Sequence, residues 1–287
     1  MFPGCRTPFG RLMCRAMTFL AVVVVARFVL EIAGVPPTVT RFVSSTTAVL
    51  FVALYVAAVA PLRGGMQKFS QLLLPAVLLS VWTVAWVMVV TVIAAVLHLE
   101  RSHFAMPEDF GNWAHLGRHL MGHAVEMGVL FAVLLLLMSV VHLLWRWPMT
   151  VAPGGLIGAI VIMRVWTDAM GLEPFRTAAW SSTLVVFLSA IYLGGIGPRM
   201  GLAGSRALLV PSLVLAWTWR FWVYLATVFA AFMPFFNTDF FNPIPGHVGV
   251  RLAGALARDV VEGAIVGLIV WGIAVWIACA TRREPAA

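Results

Sequence analysis

The sequence predicts an all-α integral membrane protein of about eight transmembrane helices, arranged as two parallel-repeat four-helix halves with N- and C-termini cytoplasmic. Three observations predict it. Apolar runs of bilayer length fill most of the chain, a stretch near the start recurs 137 residues later (164 − 27), and arginine is concentrated on one side of the resulting topology.

Hydrophobic residues make up 62% of the 287 residues and charged residues 10%, with a mean hydropathy of +0.99. A soluble domain carries about 25% charged residues, so this balance excludes an ordinary soluble fold. A helix needs ~20 apolar residues to cross a bilayer. The runs that qualify lie near 17–35, 43–61, 70–98, 118–144, 150–169, 178–197, 206–232 and 256–280. The domain reading that follows is a cytoplasmic segment 1–16, a first four-helix repeat 17–146, a second 150–281 and a tail 282–287.

The first and second spans define the repeat. From Arg27 the chain reads R-F-V-L-E-I-A-G-V-P-P, and from Arg164 it reads R-V-W-T-D-A-M-G-L-E-P. Arg27/Arg164, Glu31/Asp168, Gly34/Gly171 and Pro37/Pro174 share one offset, which continues through Ser44-Ser45-Thr46 against Ser181-Ser182-Thr183 and Tyr55 against Tyr192. The third and seventh spans match at 136 (222 − 86), through Pro75/Pro211, Trp86/Trp222 and Thr91/Thr227. The fourth and eighth resemble each other from His115 and from His247, with small gaps. Four spans is an even number, so both copies enter the membrane in the same direction and are expected about an axis along the membrane normal.

Arg6, Arg11, Arg15, Arg63, Lys68, Arg146, Arg199, Arg206, Arg282 and Arg283 all fall on one side of this topology. The positive-inside rule makes that side cytoplasmic, in a cytoplasmic (inner) membrane, most simply a bacterial one. The net charge of +8 therefore reads as topology, and no basic tract suggests a nucleic-acid partner. Glu100, Glu108, Asp109, Glu173 and Asp239 fall in outer loops. Cys5, Cys14 and Cys279 lie on the basic side, where thiols stay reduced, so no disulfide is expected. The basic start followed by an apolar run resembles a signal peptide, but Arg27 and Glu31 interrupt that run and no small-x-small site follows; it reads as an uncleaved span.

Two parallel four-span halves are similar in architecture to the haem A synthases, in which histidines serve haem. That likeness is one of architecture and transfers no residue, because the motifs of that family are not found here.

Polar residues inside the spans carry the chemistry. Arg27 and Glu31 are one turn apart, as are Arg164 and Asp168, and each couple reads as a structural ion pair that lowers the cost of inserting charge. Arg220, in W-T-W-R-F-W, has no acid on its own helix face. It must find a partner across the bundle, stack on tryptophan or hold an anionic part of a substrate. His115, His119, His123 and Glu126 form one stripe on the fourth span. A His-x-x-x-His pair with a nearby carboxylate suits a divalent metal (zinc or iron), and such histidines also ligate haem. The metal ligands predicted are His119, His123 and Asp259, with Glu126 and Glu262 as catalytic or proton-transfer groups and Arg220 as the substrate contact. The competing reading is a hydrogen-bonded network that holds helices together. His98 and His103 are candidates to join the cluster, and His142 reads as a packed histidine. The segment P-F-F-N-T-D-F-F-N-P-I-P before the eighth span reads as an interfacial anchor, or as a lid.

No HExxH helix, GxSxG elbow or P-loop occurs, so nucleotide use is not expected. Charged groups cluster toward the outer half, while the inner halves of the spans are almost purely apolar. A one-sided pocket suits a metal- or haem-binding membrane enzyme that acts on an extracytoplasmic or lipid-borne substrate. The alternatives are a non-catalytic subunit of a larger membrane complex, with other membrane subunits as partners beside the lipid bilayer, and a transporter built from parallel repeats.

Overall fold

The structure is a computed structural model that describes residues 6–171, 181–202, 204–232, 240 and 247–281. Those residues are helices and short connections, with no strand among them. Eight helical stretches are long and apolar enough to cross a membrane. This is a multi-pass membrane protein. The chain divides into two compact units, Met1–His142 and Leu143–Ala287.

In the first unit, α1 (Pro8–Ile32) starts where Thr7 Oγ1 accepts the Gly10 amide at 2.9 Å and Pro8 opens the helix. It stops at Gly34, whose φ of 78° is left-handed, so the Gly34 and Val35 amides turn back onto the Glu31 and Leu30 carbonyls. A short turn α2 (Pro37–Thr40) follows. Helix α3 (Ser45–Val59) is capped by Ser44 Oγ, which accepts the Thr47 amide at 3.2 Å. It tightens into a 3-10 turn, Ala60–Arg63, ended by Gly64. Then come α4 (Leu73–Val96) and α5 (Trp113–Leu144). Helix α1 packs on α3 and α4, and the Trp82 indole of α4 donates to the Met17 carbonyl of α1 at 2.7 Å.

The second unit holds four long helices of its own. Helix α6 (Pro148–Ala169) ends at Gly171, φ 72°. Helix α7 (Ser182–Ile196) is capped by Ser181 Oγ, which accepts the Leu184 amide at 3.3 Å, and runs into a 3-10 turn, Gly197–Met200, closed by Gly201. Helices α8 (Ser205–Phe232) and α9 (Val248–Thr281) complete it. Lipid supplies no hydrophobic drive between helices, so close approach and polar contacts must hold them together. Tryptophans supply many of both here. Trp222 Nε1 donates to Gly154 O at 3.1 Å, Trp219 Nε1 to Ser182 Oγ at 2.9 Å, and Trp217 Nε1 to Val260 O at 3.2 Å, tying α8 to α6, α7 and α9. Small residues admit these rings. A Cβ on Gly158 would lie 2.7 Å from Trp222, and one on Gly263 would lie 2.3 Å from Trp217.

Two expectations need amendment. Helices α5 and α9 begin at Trp113 and Val248, ahead of the apolar windows at 118 and 256. Hydropathy detects the hydrocarbon-length part of a helix, whereas the backbone ladder continues into the polar turns beside it. Cys14 is disulfide-bonded, against the expectation of reduced thiols; the expectation rested on compartment alone and took no account of chain proximity. Cys279 is free. Cys5, Glu173, Pro174, Asp239, Arg282, Arg283 and most of the aromatic segment before α9 lie outside the described residues.

Candidate functional site

The chemistry of the first unit is built from imidazole and carboxylate. Arg27 Nε meets Glu31 Oε1 at 3.2 Å, as their one-turn spacing requires. The other oxygen of Glu31 takes two bonds from the loop between α4 and α5: the His103 amide donates to Oε2 at 3.2 Å, and His103 Nδ1 lies 2.6 Å from it. Phe104 packs beside this group, edge-on to Phe28 at 6.0 Å and with the Arg27 guanidinium 5.9 Å from its ring centre.

Asp109 holds the upper part of the stripe. Its side chain is fully buried at the end of a 3-10 turn, Pro107–Asp109. Oδ1 lies 2.7 Å from His115 Nδ1, and Oδ2 lies 2.8 Å from His119 Nδ1 and accepts the Met106 amide at 2.8 Å. Burial opposes ionisation, but the bonds from His115, the Met106 amide and His119 outweigh it, so the carboxyl is lowered from 3.8 to about 2. Asn112 Oδ1 accepts the His115 amide at 3.1 Å and sets the start of α5 so that His115 and His119 point back at Asp109.

One turn on, His123 Nδ1 lies 2.8 Å from Glu126 Oε2. The rings of His119 and His123 are 4.9 Å apart at 34°, which continues the stripe. The Glu126 side chain is 71% exposed, whereas that of His123 is 15% exposed. His123 Nε2 is buried with no hydrogen-bond partner among the described residues.

Four imidazoles thus share one habit: His103, His115, His119 and His123 each turn Nδ1 to a carboxylate. In a neutral ring that bond places the proton on Nδ1 and leaves the Nε2 lone pair for a metal or a proton. No group of three or more His, Cys, Asp and Glu side chains is gathered around one point suited to a metal ion among the described residues. His119 and His123 are neighbours, and the carboxylates beside them, Asp109 and Glu126, engage their Nδ1 atoms.

The second unit uses arginine instead. Arg220 is buried, and its Nη2 pairs with both Asp259 and Glu262 of α9. Its guanidinium lies 4.8 Å from the Trp219 ring centre. Two of the roles expected of Arg220, a partner on another helix and stacking on tryptophan, are thus realised together. Arg258 Nε stands 3.7 Å from each acid at the exposed edge. Asp259 Oδ2 is buried and makes no hydrogen bond among the described residues. Arg164 and Asp168 sit one turn apart on α6, with Asp168 buried and Arg164 5.3 Å from the Phe240 ring centre. His142 lies near the far end of α5, edge-on to Phe69 at 6.2 Å, away from the stripe.

Sequence reasoning treated Asp109 only as an outer-loop acid, yet it anchors two histidines. The available signal was local: an acid three residues before an Asn cap, with His115 and His119 on the first turns of the helix it precedes. No protein-family model matches this chain, and comparison with curated proteins and with solved structures returns no match.

Proposed function

We propose that the chain is a membrane enzyme with a one-sided imidazole–carboxylate pocket in its first unit, which binds a haem or a divalent metal through Nε2 atoms of His119 and His123. Glu126 would relay protons through its bond to His123, and the substrate would be extracytoplasmic or lipid-borne. The observation that carries this is the orphaned, buried Nε2 of His123 beside the His119 ring, with both Nδ1 atoms already committed to carboxylates. Metal-ligating histidines characteristically donate their second nitrogen in this way. Two neighbouring imidazoles without a third protein ligand suit a metal that keeps open positions for water and substrate, and either one alone can serve as the axial ligand of a haem.

A structural second reading has its own support, because every histidine of the stripe already has a carboxylate partner and Arg220 pairs with both Asp259 and Glu262. In that reading the chain is a non-catalytic subunit; a transporter is the third. The matched serine caps, left-handed glycines and 3-10 turns of the two units support descent from one duplicated four-span unit. The one-sided arginines support cytoplasmic termini in a bacterial inner membrane.

The test is metal analysis and an absorption spectrum of the detergent-purified protein beside His119→Ala/His123→Ala. Near-stoichiometric iron, zinc or haem in the wild type and none in a folded double variant is the expected result. A folded wild type without either group, from cells supplied with both, would favour the structural reading.

A further inference from the structure

We propose that the basic end of the first unit is a binding site for an anionic phospholipid. Helix α1 and the end of α3 frame a cavity of about 440 Å³. Arg11 and Arg15 enter it from successive turns of α1, and Arg63 enters from the 3-10 turn that ends α3. None of the three makes an ion pair among the described residues; the one polar contact recorded is Arg11 Nη1 to the Arg6 carbonyl at 2.8 Å. No carboxylate lines the cavity among the described residues.

The rest of the wall is apolar and leads away from the arginines along the helices. Phe19 lies one turn beyond Arg15, and Phe51 and Tyr55 lie on α3 above Arg63. Phe19 and Tyr55 are more than half exposed, so this wall is open to hydrocarbon. The site is therefore amphipathic in the same sense as a phospholipid: guanidiniums at one end for a phosphate, and an aromatic trough for an acyl chain. Three converging cations repel one another unless an anion joins them, and the bilayer supplies phosphodiesters at high local concentration. A zwitterionic headgroup would bring an ammonium to a site lined by three guanidiniums. The chemistry therefore selects a net-negative headgroup such as phosphatidylglycerol or cardiolipin.

The second unit provides an internal contrast. At the offset of 137, the positions of Arg11, Arg15 and Arg63 are Pro148, Ala152 and Met200, none of them a cation. The three cations are thus not matched position for position in the second unit, where the nearest basic residues in sequence are Arg146 and Arg199. The basic pocket is independent of the imidazole site.

Native mass spectrometry and thermal unfolding of the purified protein would be run with phosphatidylglycerol, phosphatidylcholine or inorganic phosphate added to neutral detergent. Arg15→Gln/Arg63→Gln is compared with Arg199→Gln/Arg206→Gln, which removes the same charge from the other unit. The wild type and the second variant should prefer phosphatidylglycerol over phosphatidylcholine at least tenfold, and the first variant should lose that preference. Equal losses in both variants, or no preference in the wild type, would overturn the proposal. Inorganic phosphate that displaces the lipid at millimolar concentration would identify a soluble phosphate as the ligand and overturn the lipid assignment. If the first variant does not fold, a photoactivatable phosphatidylglycerol on the wild type decides the matter. Cross-links within 11–19 and 51–63 support the site, and cross-links elsewhere refute it.

Discussion

The first unit turns an imidazole to each of Glu31, Asp109 and Glu126, with Arg27 also on Glu31, whereas the second holds Asp259 and Glu262 with guanidinium. The contrast includes one matched position: at the offset that aligns α4 with α8, Val84 of α4 corresponds to Arg220 of α8, since 220 − 84 is 136. Where α4 presents valine, the acid of α5 turns to the histidine of its own helix. Where α8 presents arginine, both acids of α9 reach across to it. A fixed cation between helices welds them, whereas an imidazole remains able to gain or lose a proton or a metal. Under the proposed function, the second unit does mechanical work and the first carries the chemistry.

The strongest way to break that division is Arg220→Ala. Removing one partner of a buried ion pair leaves Asp259 charged with only the exposed Arg258 beside it, 3.7 Å away, at a cost of about 3–5 kcal/mol. The expected outcome is loss of a folded, monodisperse protein in detergent. Arg220→Met combined with Asp259→Leu and Glu262→Met should recover most of the thermal stability. If Arg220→Ala left the melting temperature unchanged, a welding role would be wrong. Next in size is Gly263→Val, which would push Trp217 and its bond to Val260 away from α9 and should cost about 1–3 kcal/mol by overpacking. Its measure is the melting temperature, with Gly272→Val, which meets open space, as the control.

The first unit should instead reveal itself by its acid response. Asp109 titrates at about 2, below its usual 3.8. Its ionised form therefore contributes stability that is present above about pH 4 and is lost as the pH falls through about 2. Asp109→Asn should remove that acid-sensitive component, roughly 2 kcal/mol from the size of the shift. Thermal unfolding across this pH range in the two proteins checks it; parallel pH profiles would show that Asp109 is not the group responsible. The smallest expected effect is shared by both units. Gly34→Ala and Gly171→Ala each force a side chain into a left-handed helix end and should cost about 1 kcal/mol apiece. Equal costs would support a common design of the two α-helical corners, and a marked inequality would sharpen the difference between them.

Much of the scaffold follows from local physics. Apolar length selects the eight spans, serine and threonine before an apolar run start helices, and glycine in a left-handed turn ends them. The pairing of Arg27 with Glu31 and the alignment of His115, His119, His123 and Glu126 likewise need only the helical period. The sequence by itself therefore determined which polar residues share a face and at what depth. Tertiary structure alone decided which partner each one meets. Glu31 meets His103 from 72 residues away, and Arg220 meets Asp259 from 39 away. Asp109 folds back from its loop onto two histidines. A helix fixes the spacing of its own side chains to a fraction of a turn. The group that arrives from a neighbouring helix or loop is set by packing, which no single stretch of the chain contains.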